Sequence, residues 1–237
     1  MNIAIIGYGK MGREIEKVAL ERGHVVDLKI SSKNTTDFTF DNLKKVDVAI
    51  EFTNPELAVN NIKTCLESNT PIVVGTTGWY DQFDEIRNSV AENEGSFLHA
   101  TNCSIGVNLF FKLNKQLAEV MSNHNEYNIV MEETHHTQKL DAPSGTAITL
   151  ADDIIDNTNK DLWVKGKTSS KNQLGIVSHR EENVPGTHIV NYTSEIDDIE
   201  IKHTAHSRKG FAMGALIAAE YIANKKGIFT MEDVLFN

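Results

Sequence analysis

In the first half of the chain, apolar residues fall in short, nearly unbroken runs: Asn2-Ile3-Ala4-Ile5-Ile6, then residues 25–30, 46–52 and 71–74. Between them the spacing turns helical. Met11, Ile15, Val18 and Ala19 mark one helix closed by Gly23, and Pro55 opens another that reaches about residue 68. Runs apolar on both faces, separated by helices, predict a buried parallel sheet. The pattern changes after residue 104. A long helix is expected over 105–123, with apolar positions Val107, Phe110, Phe111, Leu113, Leu117 and Val120 and its phenylalanines in the core. A strand follows at Asn128-Ile129-Val130-Met131, then a helix over 147–156. A polar surface loop is expected around Leu162-Trp163-Val164, and strands at 175–180, 188–194 and 199–205. A helix rich in small residues, 211–223, comes last. The later strands predict a mostly antiparallel or mixed sheet.

Charge narrows the partners. The formal net charge is −10 over 237 residues, which argues against nucleic acid, whose phosphates need a concentrated basic face. An anionic ligand would therefore depend on local cations and backbone N–H groups. No apolar stretch is long enough to span a membrane. The chain enters a strand at Asn2, so no signal peptide is expected. Two cysteines, Cys65 and Cys103, make no disulfide framework and suit a reducing compartment, so the cytoplasm is expected.

Between the first strand and the first helix lies Gly7-Tyr8-Gly9-Lys10-Met11-Gly12, a G-x-G-x-x-G turn in the context that gives the motif meaning. Gly7 permits the tight turn, Gly9 lets the backbone approach a pyrophosphate, and Gly12 lets helix and strand pack closely. Lys10 and Met11 complete the cofactor-binding turn. At the end of the second strand, Ser31-Ser32-Lys33 offers no carboxylate to repel a ribose 2′-phosphate, so NADPH, NADH or both are admissible. The reading is α/β: a Rossmann-type parallel-sheet nucleotide domain over 1–104 and an α+β substrate domain with a mixed sheet over 105–204. Residues 205–237 return to the first domain.

The densest chemistry lies in Glu132-Glu133-Thr134-His135-His136-Thr137-Gln138-Lys139-Leu140-Asp141-Ala142-Pro143-Ser144-Gly145-Thr146. It is read as a loop where a strand hands over to a helix, a common place for catalytic groups. The histidines are adjacent rather than at i, i+4 spacing, and His203-x-x-His206 would straddle a strand, so no metal is assigned.

The pattern Glu133-x-His135-His136-x-x-Lys139-x-Asp141-x-Pro143-Ser144-Gly145-Thr146 closely resembles the signature of the dihydrodipicolinate reductases. These are NAD(P)H-dependent enzymes of the diaminopimelate route to lysine. Lys202-His203-Thr204-Ala205-His206-Ser207-Arg208 resembles a second family signature, and His188 matches the histidine of a third turn. The resemblance implies that Phe52, Gly75, Thr76, Thr77, Thr101 and Cys103 line the nicotinamide and its ribose. Cys103 is read as a pocket residue, since no general base is evident beside it.

The same resemblance implies hydride transfer to a cyclic imine dicarboxylate, then delivery of a proton to the neighbouring carbon. His135 is assigned as the general acid, because its ordinary pKa lies near neutrality. Lys139 supplies positive charge for a carboxylate or developing charge, and His136 contacts the substrate or orients its neighbour. Ser144, Gly145 and Thr146 hold the second carboxylate at a helix start. A homotetramer is expected from the resemblance alone. A non-catalytic NAD(P)H-binding regulator and a related semialdehyde or amino-acid dehydrogenase remain as alternatives; a sensor, however, needs no proton donor.

Overall fold

The N-terminal apolar run forms strand β1 (Asn2–Ile6), whose Ile3, Ala4, Ile5 and Ile6 are all buried. This is seen in the computed structural model, which describes residues 1–237 as two units: Met1–Ile105 with Arg208–Asn237, and Gly106–Ser207. Helix α1 (Lys10–Glu21) buries Ile15, Val18 and Ala19 at the expected spacing, and Gly23 follows it at φ +79°. Next come β2 (Val25–Ile30), the short α2 (Phe40–Leu43) and β3 (Val48–Glu51). Helix α3 (Pro55–Glu67) starts where Asn54 accepts the Leu57 N–H and Pro55 needs no partner for a missing one. β4 (Ile72–Val74), α4 (Phe83–Glu92) and β5 (Ser96–His99) complete this part.

In the second unit, α5 (Ile105–Met121) buries Val107, Phe110, Asn114, Ala118 and Met121. The expected apolar face is therefore partly wrong: Leu113 and Val120 are 49% and 67% exposed. The true stripe recurs every three or four residues and accommodates Asn114, whose side-chain amide donates to the Leu150 carbonyl. β6 (Asn128–His135) is twice as long as its apolar run suggests, because Ile129, Met131, Glu133 and His135 alternate inward along it. Glu132, Glu133 and His135, read as part of a loop, thus stand on a strand, whereas His136 and Asp141 lie beyond its end. After α6 (Gly145–Asn157) come β7 (Leu162–Lys165), β8 (Gln173–Arg180), β9 (Gly186–Thr193) and β10 (Asp198–Ala205). Their order is β10-β9-β6-β8-β7. β6 pairs antiparallel with β9 and parallel with β8, so the sheet is mixed.

The chain then returns to the first unit as α7 (Lys209–Ile222), β11 (Gly227–Phe229) and α8 (Met231–Phe236). Ala212, Ala215, Leu216, Ala219 and Ile222 of α7 pack into one cluster with Ile3, Ile5, Val73 and Leu98. Each large aliphatic side chain so buried contributes about 1.5–3 kcal/mol. The finished sheet runs β11-β5-β4-β3-β1-β2, and its pairings are all parallel. Strand order reverses between β1 and β3, where open α/β sheets hold ligands at the carboxyl ends of their strands.

Candidate active site

At that reversal the glycine-rich turn leaves β1. Gly7 has φ +97°, and a Cβ there would stand 1.9 Å from the Phe52 carbonyl oxygen. The turn is held by the Gly7 and Tyr8 N–H groups, which donate to the Ile30 carbonyl at 3.0 and 2.8 Å. Gly12 serves packing, since its Cβ would meet the Gly7 oxygen at 2.6 Å. At the start of α1 no side chain caps the helix, and a Cβ on Gly9 would meet nothing within 4 Å. Uncapped N–H groups behind an open backbone surface fit a pyrophosphate.

Gly7, Gly9, Lys10, Met11, Phe52, Gly75, Thr76 and Thr77 line one cavity of about 440 Å³. Its far wall is braced by Thr53, whose N–H donates to the Thr76 hydroxyl at 2.8 Å. Beneath it lies Glu51, fully buried and hydrogen-bonded by Thr53 and Asn61, with burial raising its pKa. An acid inside an apolar run was the only signal of Glu51 in the sequence.

Gly12, Ser31, Ser32, Lys33, Thr101 and Cys103 do not line this cavity. Ser31 is engaged by Asn34, which folds the loop after β2 and leaves Lys33 exposed. Thr101 is exposed, whereas Cys103 is 2% exposed with a thiol pushed up to about 12 by burial, unsuited to nucleophilic work.

In the second unit the chemistry gathers around Glu133, which is 1% exposed. The Ser144 N–H donates to both its oxygens, at 3.1 and 3.2 Å, and the Ser178 hydroxyl donates to Oε1 at 2.7 Å. Arg180 Nη1 lies 3.9 Å from Oε1. The other oxygen, Oε2, faces His135 Nδ1 at 3.4 Å and His188 Nε2 at 3.7 Å. Ser144 also caps α6, accepting the Ala147 N–H at 3.1 Å, and its hydroxyl lies 3.3 Å from His188 Nε2. Gly145 is exposed beside it, and Thr146 is buried in the first helical turn.

The loop between β6 and α6 is pinned by Arg180, which donates to the Lys139 and Asp141 carbonyls at 3.3 and 2.5 Å. Lys139 Nζ reaches Asp141 Oδ1 at 2.9 Å. Partial burial raises the Asp141 pKa, but Lys139 outweighs it and the group is held below its usual value. His136 is half-buried, and its Nδ1 has no hydrogen-bond partner.

Burial drives the His135 pKa down to about 4; Glu133 opposes the shift, while Lys139 and Arg180 reinforce it. His188 falls to about 3 by burial and by the neighbouring histidines. Both imidazoles are thus neutral at pH 7 in the free protein. A dianionic ligand arriving beside His135 would raise its pKa.

The structure therefore groups His135 and Ser144 around a buried carboxylate, with Thr146 in the first turn of α6 and Lys139 held on the adjoining loop. Sequence reasoning did not assign Glu133, Ser178, Arg180 or His188 to the site. Of these, Glu133 and His188 lay within recognisable patterns; Ser178 and Arg180 carried no local signal. Glu133, His135 and His188 also bring three donor atoms within 4.8 Å of one another, a spacing able to accommodate a cation.

Comparison with known proteins adds a further finding. The family model described as dihydrodipicolinate reductase, N-terminus, matches residues 1–103, and that described as its C-terminus matches residues 106–235. A 4-hydroxy-tetrahydrodipicolinate reductase from Christiangramia forsetii is 47% identical over 99% of this chain and 98% of its own. One from Lawsonia intracellularis is 34% identical over 99% of each. Among solved structures, a dipicolinate-bound dihydrodipicolinate reductase from Paenisporosarcina sp. TG-14 superposes with a TM-score of 0.76. It covers 97% of each chain at 22% identity, and so speaks for the fold.

Proposed function

The chain belongs to the dihydrodipicolinate reductase family, and from that premise we propose how its residues reduce 4-hydroxy-tetrahydrodipicolinate with NAD(P)H in the diaminopimelate route to lysine. The observation that carries the reading is the placing of His135 and the capped start of α6 around one buried carboxylate.

The dinucleotide, when bound, supplies a hydride. Gly7, Gly9, Lys10 and Met11 hold its phosphates at the uncapped start of α1, and Phe52, Gly75, Thr76 and Thr77 enclose its nicotinamide end. Gly12 acts by packing; Ser31, Ser32 and Lys33 border the adenosine ribose, while Cys103 contributes packing in the core cluster that Phe52 joins and Thr101 stands exposed outside the cavity. The dicarboxylate binds through Ser144, Gly145 and Thr146 at one end and Lys139 with His136 at the other. His135 then gives its proton to the substrate carbon next to the reduced position. Loss of reduced-nicotinamide absorbance tests this, with substrate made in situ from pyruvate and aspartate semialdehyde. A substrate-independent signal, or none, would sink it.

Two smaller expectations arise here. Lys139→Met removes a charge from both ground-state and transition-state binding, so KM should rise and kcat/KM fall about 10–100-fold, the range for a charged hydrogen bond. An unchanged KM would move the carboxylate contact elsewhere. Lys33→Glu should raise the KM for NADPH several-fold more than that for NADH, because only the 2′-phosphate meets the new carboxylate. Equal effects would make Lys33 a solvated loop residue.

A homotetramer and a cytoplasmic location belong to the same reading. The edge strand β10 is exposed or half-exposed along its length, which suits assembly through this sheet, and sedimentation tests it. Free thiols at Cys65 and Cys103 suit a reducing compartment.

A further inference from the structure

The two ring nitrogens of His135 face different surroundings. Nδ1 is buried, has no regular hydrogen bond, and lies 3.4 Å from Glu133 Oε2. On the other side of the ring is Gly186, where β9 begins. A Cβ on Gly186 would stand 3.1 Å from Nε2 and 3.3 Å from Cδ2. With no side chain at Gly186, no Cβ crowds Nε2.

The groups around this ring come from every neighbouring element: Glu133 on its own strand, Arg180 on β8, His188 on β9, and Lys139 and Asp141 on the loop. Glu133 is the buried carboxylate among them; Asp141 is exposed and tied to Lys139.

We propose that Glu133 is the positioning residue for proton transfer: its Oε2 fixes a proton on Nδ1 of His135, so that Nε2, left open by Gly186, is the nitrogen that gives its proton to the substrate. This rests on His135 being the acid. In the step, the electron pair of the substrate's enamine forms the new C–H bond. The N–H bond at Nε2 breaks, its electron pair stays on the ring, and a neutral imidazole remains with its Nδ1–H directed at Glu133. The same carboxylate holds the Ser144 N–H, so proton donor and carboxylate cradle are keyed to one side chain.

Glu133→Gln separates these duties. Its carbonyl oxygen can still accept from Ser144 and Ser178, but its NH₂ faces Nδ1 and turns that nitrogen into an acceptor. The consequence is the wrong tautomer and a disfavoured imidazolium. Expected are a fall in kcat of about 10²-fold, an alkaline limb of the pH profile displaced to lower pH, and unchanged NADPH affinity. Nitrogen NMR should place the proton of neutral His135 on Nδ1 in the wild type and on Nε2 in the variant.

Gly186→Ala should lower kcat while leaving the carboxylate in place. If Glu133→Gln does not fold, the wild-type tautomer decides alone: a proton on Nε2 overturns the proposal. So does an unmoved pH limb in a folded Glu133→Gln protein while His135→Gln is crippled. Normal turnover in His135→Gln instead refutes the assignment beneath it.

Discussion

Replacing His135 with glutamine is expected to lower kcat by about 10²–10⁴-fold, the range for losing a general acid, or roughly 3–5 kcal/mol of transition-state stabilisation. Glutamine is of similar length and polar, so the buried site should remain folded while losing its dissociable proton. NADPH affinity should be near normal, because the dinucleotide turn belongs to the other unit. The wild-type pH dependence has a definite sign. An acid works only while protonated, so activity falls as pH rises through its pKa. In the free protein burial holds that pKa at about 4; a bound dicarboxylate raises it. The kcat/KM profile, which reports the free enzyme, should therefore fall at lower pH than the kcat profile. Near-wild-type kcat for the variant across the pH range would mean that the proton comes from elsewhere.

Gly7→Ala is expected to destabilise the first unit by about 3 kcal/mol or more, since a left-handed residue gains a Cβ and that Cβ overpacks its surroundings. At φ +97° the new atom would stand 1.9 Å from a backbone oxygen, so the strand end must move. For a chain of this size that is a drop of roughly 6–12 °C in Tm. Gly9→Ala makes the informative contrast. Its Cβ meets no protein atom within 4 Å, so folding should be nearly unchanged. Dinucleotide affinity should nevertheless fall, because the methyl occupies the space through which a pyrophosphate approaches. Thermal unfolding beside fluorescence titration of NADPH checks both. Equal stabilities for the two variants would refute the steric account of Gly7.

The α/β class was legible because fully buried parallel strands leave unbroken apolar runs, as at Ile3–Ile6 and Ile72–Val74. Less local features were hidden. Gly227-Ile228-Phe229 is too short to make a pattern and is a strand by pairing with β5. β6 looked half its length because Glu133 and His135 occupy inward positions normally filled by apolar side chains; they are tolerated there because they face one another and Ser144. The motif marked which residues carry chemistry but not their companions. Ser178, Arg180 and His188 reach Glu133 from strands 45 to 55 positions further along, a juxtaposition made by sheet register alone.

The return of α7 and β11 to the first unit also orders events during synthesis. When residue 105 leaves the ribosome, Ile3, Ile5, Val73 and Leu98 still lack the helix that covers them, and β5 is an open edge. The second unit, contiguous in sequence, has all its strands before α7 is made. Its roughly one hundred residues take on the order of 5–20 s to emerge at about 5–20 residues per second. For that interval the nascent first unit presents a bare aliphatic face of the kind that chaperones hold. The middle of this chain can thus finish folding before its beginning does.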